Sequence, residues 1–323
     1  MILENDIIGK VLYLHGLRDL IVVAESESEK ESPIRCTITG PFGDTLLDET
    51  YWFDFSGTIS IDIKDAVSSI FVYADPAIGE EVSHSGLGFD FSIDIGDGSI
   101  AGSFTINAMS ENARIRVSDI DMLRIPYDYI LPLSIHDFAE RSGVEFVSPA
   151  GTLTKPDWLQ TSGTGKGSRT RFVEMSGASE RLKRSFHVLF LGTTPSITTP
   201  QFRLCSGHFE QYLFANRYGG YDNIPMDGEL LYEPETEYET GLYHEQEMQI
   251  TAKCTDRYTQ NSGYVTRKTV EAMKELIRSR QIFHLKDGTF RKIVILESDI
   301  SMSSADSIHS FSFQYRYADI QSR

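Results

Sequence analysis

Three glutamates at alternate positions, Glu235, Glu237 and Glu239 in EPETEYET, form the densest run of carboxylates suited to chemistry. On an extended strand, alternate residues share a face roughly 6–7 Å apart. Two carboxylates at that separation can divide the acid and base roles of glycoside hydrolysis. On a surface strand the same residues stay solvated and discourage edge pairing. Other stretches come near a reactive pattern and miss it. SGTGKGS has Gln160 where a phosphate loop needs its first glycine and Gly167 where it needs Ser or Thr. His244 and Glu245 begin a metalloprotease-like run, but Met248 stands at the second ligand position. Asp90, Ser92 and Asp94 space like a calcium loop, yet Ile95 replaces the required glycine and Ala101 the closing glutamate. Cys205 and His208 lie close in sequence without a third partner, and no Gly-x-Ser-x-Gly elbow occurs. The expectation is a chain without catalytic residues, cofactor or metal ligands, hence no enzyme.

The elements around these residues read mainly as strands. Phe89, Phe91, Ile93 and Ile95 alternate with Asp90, Ser92 and Asp94, and Gly96, Asp97 and Gly98 supply a turn before Ile100, Phe104 and Ile106. Ile59, Ile61 and Ile63 alternate likewise, and a short helix follows over 65–71. ESESEKES reads as a charged tip or loop. ILPLSIHDFAERSGVEF predicts a strand and one helical turn, while PAGTLTKPDWLQTSGTGKGSRTRF, 149–172, carries no apolar period and reads as a long exposed arm or loop. In EMQITAKCT, Met248, Ile250, Ala252 and Cys254 are expected on one buried face. Val270, Met273, Leu276 and Ile277 stripe a helix over 266–279, capped by Thr266 or Thr269. A hairpin turns at Lys286, Asp287 and Gly288. Its return strand, Ile293 to Leu296, reads as buried on both faces. Phe311, Phe313, Tyr315 and Tyr317 give a closing strand one apolar side.

Together these predict a mainly β chain: an N-terminal β-sandwich over 1–125, a connecting region over 126–200, and over 201–323 an antiparallel β-sheet domain with one α-helix. No run of about 18 apolar residues is present to form a transmembrane helix, and the acidic start MILENDIIGK does not read as a secretory signal. The net charge of -17 argues against nucleic acid as a partner. It is unevenly spread, with 26 Asp+Glu against 9 Lys+Arg in 1–150 but 3 against 7 in 151–185. The basic stretch, with Lys155, Lys166, Arg169, Arg171, Arg181, Lys183 and Arg184, therefore reads as an exposed arm able to meet the acidic face of another copy. In ANRYGGYDNIP, Gly219 and Gly220 suit a tight reversal, Asp222 can bond its own backbone, and Pro225 halts a central strand. This stretch therefore reads as a structural turn in preference to a ligand cradle. Trp52, Trp158, Tyr218 and Tyr221 leave a glycan-binding alternative open.

The order of an NRYGGYD turn, KCTDRYTQNSGYVT, the helix RKTVEAMKELIRSR, the hairpin QIFHLKDGTFRKIVILES and a final SFSFQYRYAD resembles tail proteins encoded by phages and prophages of Bacteroides and related bacteria. IRCTITGPFGDTLLDETYWFDFSGTISIDIKDAVSSIF is similar to the first β-domain of the same proteins, so the resemblance spans about two thirds of the chain. It implies a virion subunit of a tail, baseplate or collar ring, assembled in the bacterial cytoplasm. The partners it implies are copies of the chain itself and other tail proteins, with no membrane insertion. A glycan- or receptor-recognition protein of the virion, and after it a carbohydrate-active enzyme, are the alternatives.

Overall fold

The structure, a computed structural model, describes residues 1–71, 75–83, 88–107, 122–135, 141–149, 151–155, 169–176, 185–192, 201–216, 220–243, 246–301 and 308–319. Within them the chain is mainly β, with three α-helices.

The N-terminal unit is a sandwich. Its smaller sheet runs Ile2–Leu3, Leu20–Val23, Thr58–Ile61. The larger runs Val11–Tyr13, Ile100–Asn107, Gly88–Ile95, Ile34–Thr39, Thr45–Tyr51. The two-residue period drives the closure: Leu20, Val22, Ile59 and Ile61 from one sheet meet Ile38, Phe91, Ile93 and Phe104 from the other in one buried core. Asp97 and its two flanking glycines all have positive φ, as the turn demands. The short helix is Ile63–Ser68, starting two residues earlier than the sequence suggests. Asp62 caps it by accepting from the amides of Lys64 and Asp65. Removing that cap in Asp62→Ala should cost about 1 kcal/mol in a denaturant melt. The tip ESESEKES holds a single helical turn, Glu27–Lys30.

The middle of the chain is a packed unit, which corrects the expected division. Met122–Ile125, Gln201–Leu204, Ser185–Gly192, Arg141–Ser148 and Gly151–Lys155 form one sheet, and Ile130–Ile135, Arg169–Glu174 and Glu81–Ser83 another. Their shared core includes Leu123, Leu131, Leu133, Phe146, Phe186 and Phe202. The sandwich therefore ends before Met122, and Glu81–Ser83 leaves it to pair with Arg169–Arg171. The region 126–200 is thus more than a connection, since its strands carry a core of their own.

The C-terminal sheet has seven antiparallel strands in the order Tyr221–Met226, Glu210–Ala215, Ile282–Lys286, Thr289–Ser301, Ser310–Tyr317, Tyr258–Asn261, Leu230–Tyr232. The helix Arg267–Arg278, capped by Thr266, lays Met273 and Leu276 against Phe311, Phe313 and Tyr315. Asp287 and Gly288 both take positive φ, giving the two-residue hairpin its fit to the strand twist. One expectation fails. Val294 is 42% exposed and Leu296 41%, so Thr289–Ser301 buries only one side there. The helix covers one face of the sheet, and Ile130 and Phe172 of the middle unit pack on Leu213, Ala215, Tyr221 and Phe283.

Candidate functional site

Glu235–Tyr243 and Gln246–Thr255 form a two-stranded antiparallel ribbon that is a sheet of its own. At about 3.3 Å per residue it is roughly 30 Å long. A lone hairpin of this kind is marginal in water unless something covers it. Nevertheless Tyr238 (63% exposed), Leu242 (81%), Met248 and Ile250 (69%) all face solvent. The register shift between Glu239 and Thr240 explains a second failed expectation. It places Ile250 over Gly241, with Met248 on the same side, while Ala252 and Cys254 pair with Tyr238 and Thr236 on the opposite side. The four residues thus share no face, and Cys254 is exposed instead of buried. Each side of the ribbon carries its own apolar stripe. Glu235, Glu237 and Glu239 are exposed along one strand, and Glu235 is ion-paired with Arg257.

Three of the seven basic residues lie in paired strands. Lys155 ends the strand Gly151–Lys155, and Arg169 and Arg171 lie in Arg169–Glu174, where Thr170 and Phe172 alternate into the interior. That period-two signal sits beside Gly- and Ser-rich sequence, which hid it. Lys166, Arg181, Lys183 and Arg184 lie outside the described residues, as do Trp158, Tyr218 and Gly219.

The ANRYGGYDNIP stretch joins two paired strands, with the Asn216 amide bonded to the Gly220 carbonyl. Gly220 does not take a positive φ. It is needed for closeness, since an added Cβ would lie 2.8 Å from Ser134 Cβ. Asp222 is buried and accepts from Asn216 Nδ2. Pro225 lies inside an edge strand, where a missing N–H is tolerated. Tyr221 is fully buried, edge-on to Phe172, which removes it as a sugar platform.

Sequence reading missed a polar network built on Glu210 and His284. His284 is 1% exposed in an apolar strand. Its Nε2 lies 2.6 Å from Glu210 Oε2 and its Nδ1 2.8 Å from the Tyr317 hydroxyl. The Tyr315 hydroxyl also lies 3.2 Å from Nδ1, so both ring nitrogens have oxygen partners. His208 Nε2 sits 2.8 Å from the other oxygen of Glu210. Together these bonds, the His284 bond foremost, hold the Glu210 carboxyl below the ordinary range against the opposing pull of burial. Burial pushes the Tyr317 hydroxyl up to about 12. The Tyr212 hydroxyl donates to Gln260 Oε1 and, more weakly, to Tyr315. A cleft of about 560 Å³ opens beside Glu210, with Asp128, Glu174, Phe209 and Lys286 among its lining. Among the described residues, no three His, Cys, Asp or Glu side chains are placed to hold a metal ion. The signal available in sequence was His284 itself, a polar ring inside QIFHL with two tyrosines in the closing strand.

No protein-family model matches the chain, and no curated protein gives a significant match. Among the described residues, no helix is long and apolar enough to cross a membrane.

Proposed function

We propose that the chain is a non-enzymatic structural subunit that assembles with copies of itself, in the tail or a tail-like assembly of a bacteriophage. The observation that carries the assembly is the ribbon: among the described residues, its two outer strand edges are unpaired and its two apolar stripes are exposed and uncovered. Strand edges of this kind recruit further strands through main-chain hydrogen bonds. The phage setting is supported by the sequence resemblance of the NRYGGYD turn, the helix and the closing aromatic strand. The Glu210–His284 network favours a structural role over a catalytic one, because its groups spend their hydrogen bonds on one another.

Mass photometry and negative-stain imaging of the full chain test this reading. They are paired with a variant in which 236–254 is replaced by Asn-Gly. Glu235 and Thr255 are strand partners, so a two-residue turn closes the gap. The full chain should form oligomers or rings. The shortened chain should be monomeric with an unchanged melting temperature. A monomeric full chain, or a shortened chain that assembles equally well, would refute the proposal.

A further inference from the structure

We infer that the ribbon's partner is the ribbon of a second copy, joined head to tail: Glu235–Tyr243 of one copy adds antiparallel to the outer edge of Gln246–Thr255 of the next. This rests on the assembly reading above and adds the edge and the polarity. The two edges are unlike. One carries exposed carboxylates at Glu235, Glu237 and Glu239. Two such edges brought together would set like charges opposite each other. The other edge has no acidic residue from Met248 to Thr255. The fold already displays the fit between them. Within the hairpin, Glu235 pairs with Thr255, Glu237 with Lys253 and Glu239 with Thr251. A second acidic strand arriving on the far side of Gln246–Thr255 meets the same neighbours. Pairing two Gln246–Thr255 edges would instead leave both acidic edges open. Head-to-tail addition uses both edges of every ribbon, keeps all ribbons in one orientation and leaves no free edge once a ring closes. The stripe of Met248 and Ile250 on one side, and that of Tyr238 and Leu242 on the other, then run on from copy to copy.

Cysteine cross-linking reads the polarity. One chain keeps its native Cys254. The other carries Cys254→Ser with a single cysteine on the acidic strand, in turn Thr236→Cys, Tyr238→Cys and Thr240→Cys to cover the register. Pairing within one copy is impossible, because neither chain has both thiols. Cys36 and Cys205 are common to both, so the Cys254→Ser chain alone gives the background. After mild oxidation the covalent dimer should appear in at least one mixture and stay at background in each chain alone. Dimers formed by either chain alone would mean like edges meet and would overturn the inference. Absence of cross-links in every mixture, with photometry still showing oligomers, would overturn it too and leave assembly standing through another surface. Monomers throughout would instead bring down the assembly reading itself.

Discussion

His284→Ala should lower stability by about 3 kcal/mol or more in urea melts, because it strips a partly buried carboxylate of its main partner and opens a ring-sized cavity. The ring stacks on Tyr212, with centroids 4.8 Å apart, and touches Tyr317. Its loss leaves Glu210 with the exposed His208 and removes the Nδ1 partner of the Tyr317 hydroxyl. His284→Phe separates the two causes, since it keeps the stacking and removes both hydrogen bonds. It should recover part of the loss, to about 2 kcal/mol. The pH dependence carries its own sign. Glu210 has a folded pKa below its unfolded value, so its contribution is complete above about pH 4.3 and is lost as pH falls through the depressed value. Glu210→Gln should flatten stability against pH in that acid window while costing little at neutral pH, since an amide oxygen still accepts from Nε2. An acid limb identical in wild type and Glu210→Gln would show that the pair does not stabilise the fold.

The fold was legible wherever one face of an element is buried and the other wet. Phe91, Ile93 and Ile95 announce their strand because each second residue reaches the core, and Met273 and Leu276 announce the helix for the same reason. The middle unit was obscured because Arg169–Glu174 buries Thr170, Phe172 and Val173, so burial does not alternate strictly and two arginines interrupt the pattern. Periodicity also cannot say whether an apolar side has a cover. The stripe at Ile250 and the side chains of Val294 and Leu296 look in sequence like core, yet the elements that would bury them are not supplied by the rest of the described chain. The bulge at Ile250 adds a residue to one strand and so moves Met248 to the other face, a shift no alternating pattern reveals. The Glu210–His284 pair joins strands that lie 74 residues apart, so it emerges only from strand register.

Asn223→Leu is the second substitution with a large expected effect, about 2–4 kcal/mol, and it should act on the join between the middle unit and the C-terminal sheet. Asn223 is fully buried. Its Nδ2 donates to the Ile130 carbonyl at 2.7 Å and to Gln211 Oε1 at 3.0 Å, and the same Gln211 oxygen accepts from the Ile130 amide. One asparagine and one glutamine thus satisfy both main-chain groups of Ile130 along the edge strand Tyr221–Met226. Tyr129 donates to the Asn223 carbonyl at 2.6 Å, and the Tyr221 amide donates to Ser134 Oγ at 3.0 Å. These bonds fill outward-facing positions of that edge, and Pro225 shares their parity, which is why it costs no hydrogen bond there. Leucine keeps the volume and removes the donors, leaving the Ile130 carbonyl and a Gln211 lone pair unpaired in a dry seam. Tyr129→Phe removes one bond and should cost about 1 kcal/mol. The apolar part of the join, Ile130 and Phe172 against Leu213, Tyr221 and Phe283, survives both changes. In Asn223→Leu the melt should therefore broaden or split as the two units lose their coupling, whereas Tyr129→Phe should keep one sharp transition. A single sharp transition in Asn223→Leu, with a loss no greater than that of Tyr129→Phe, would mean that apolar packing alone holds the units together.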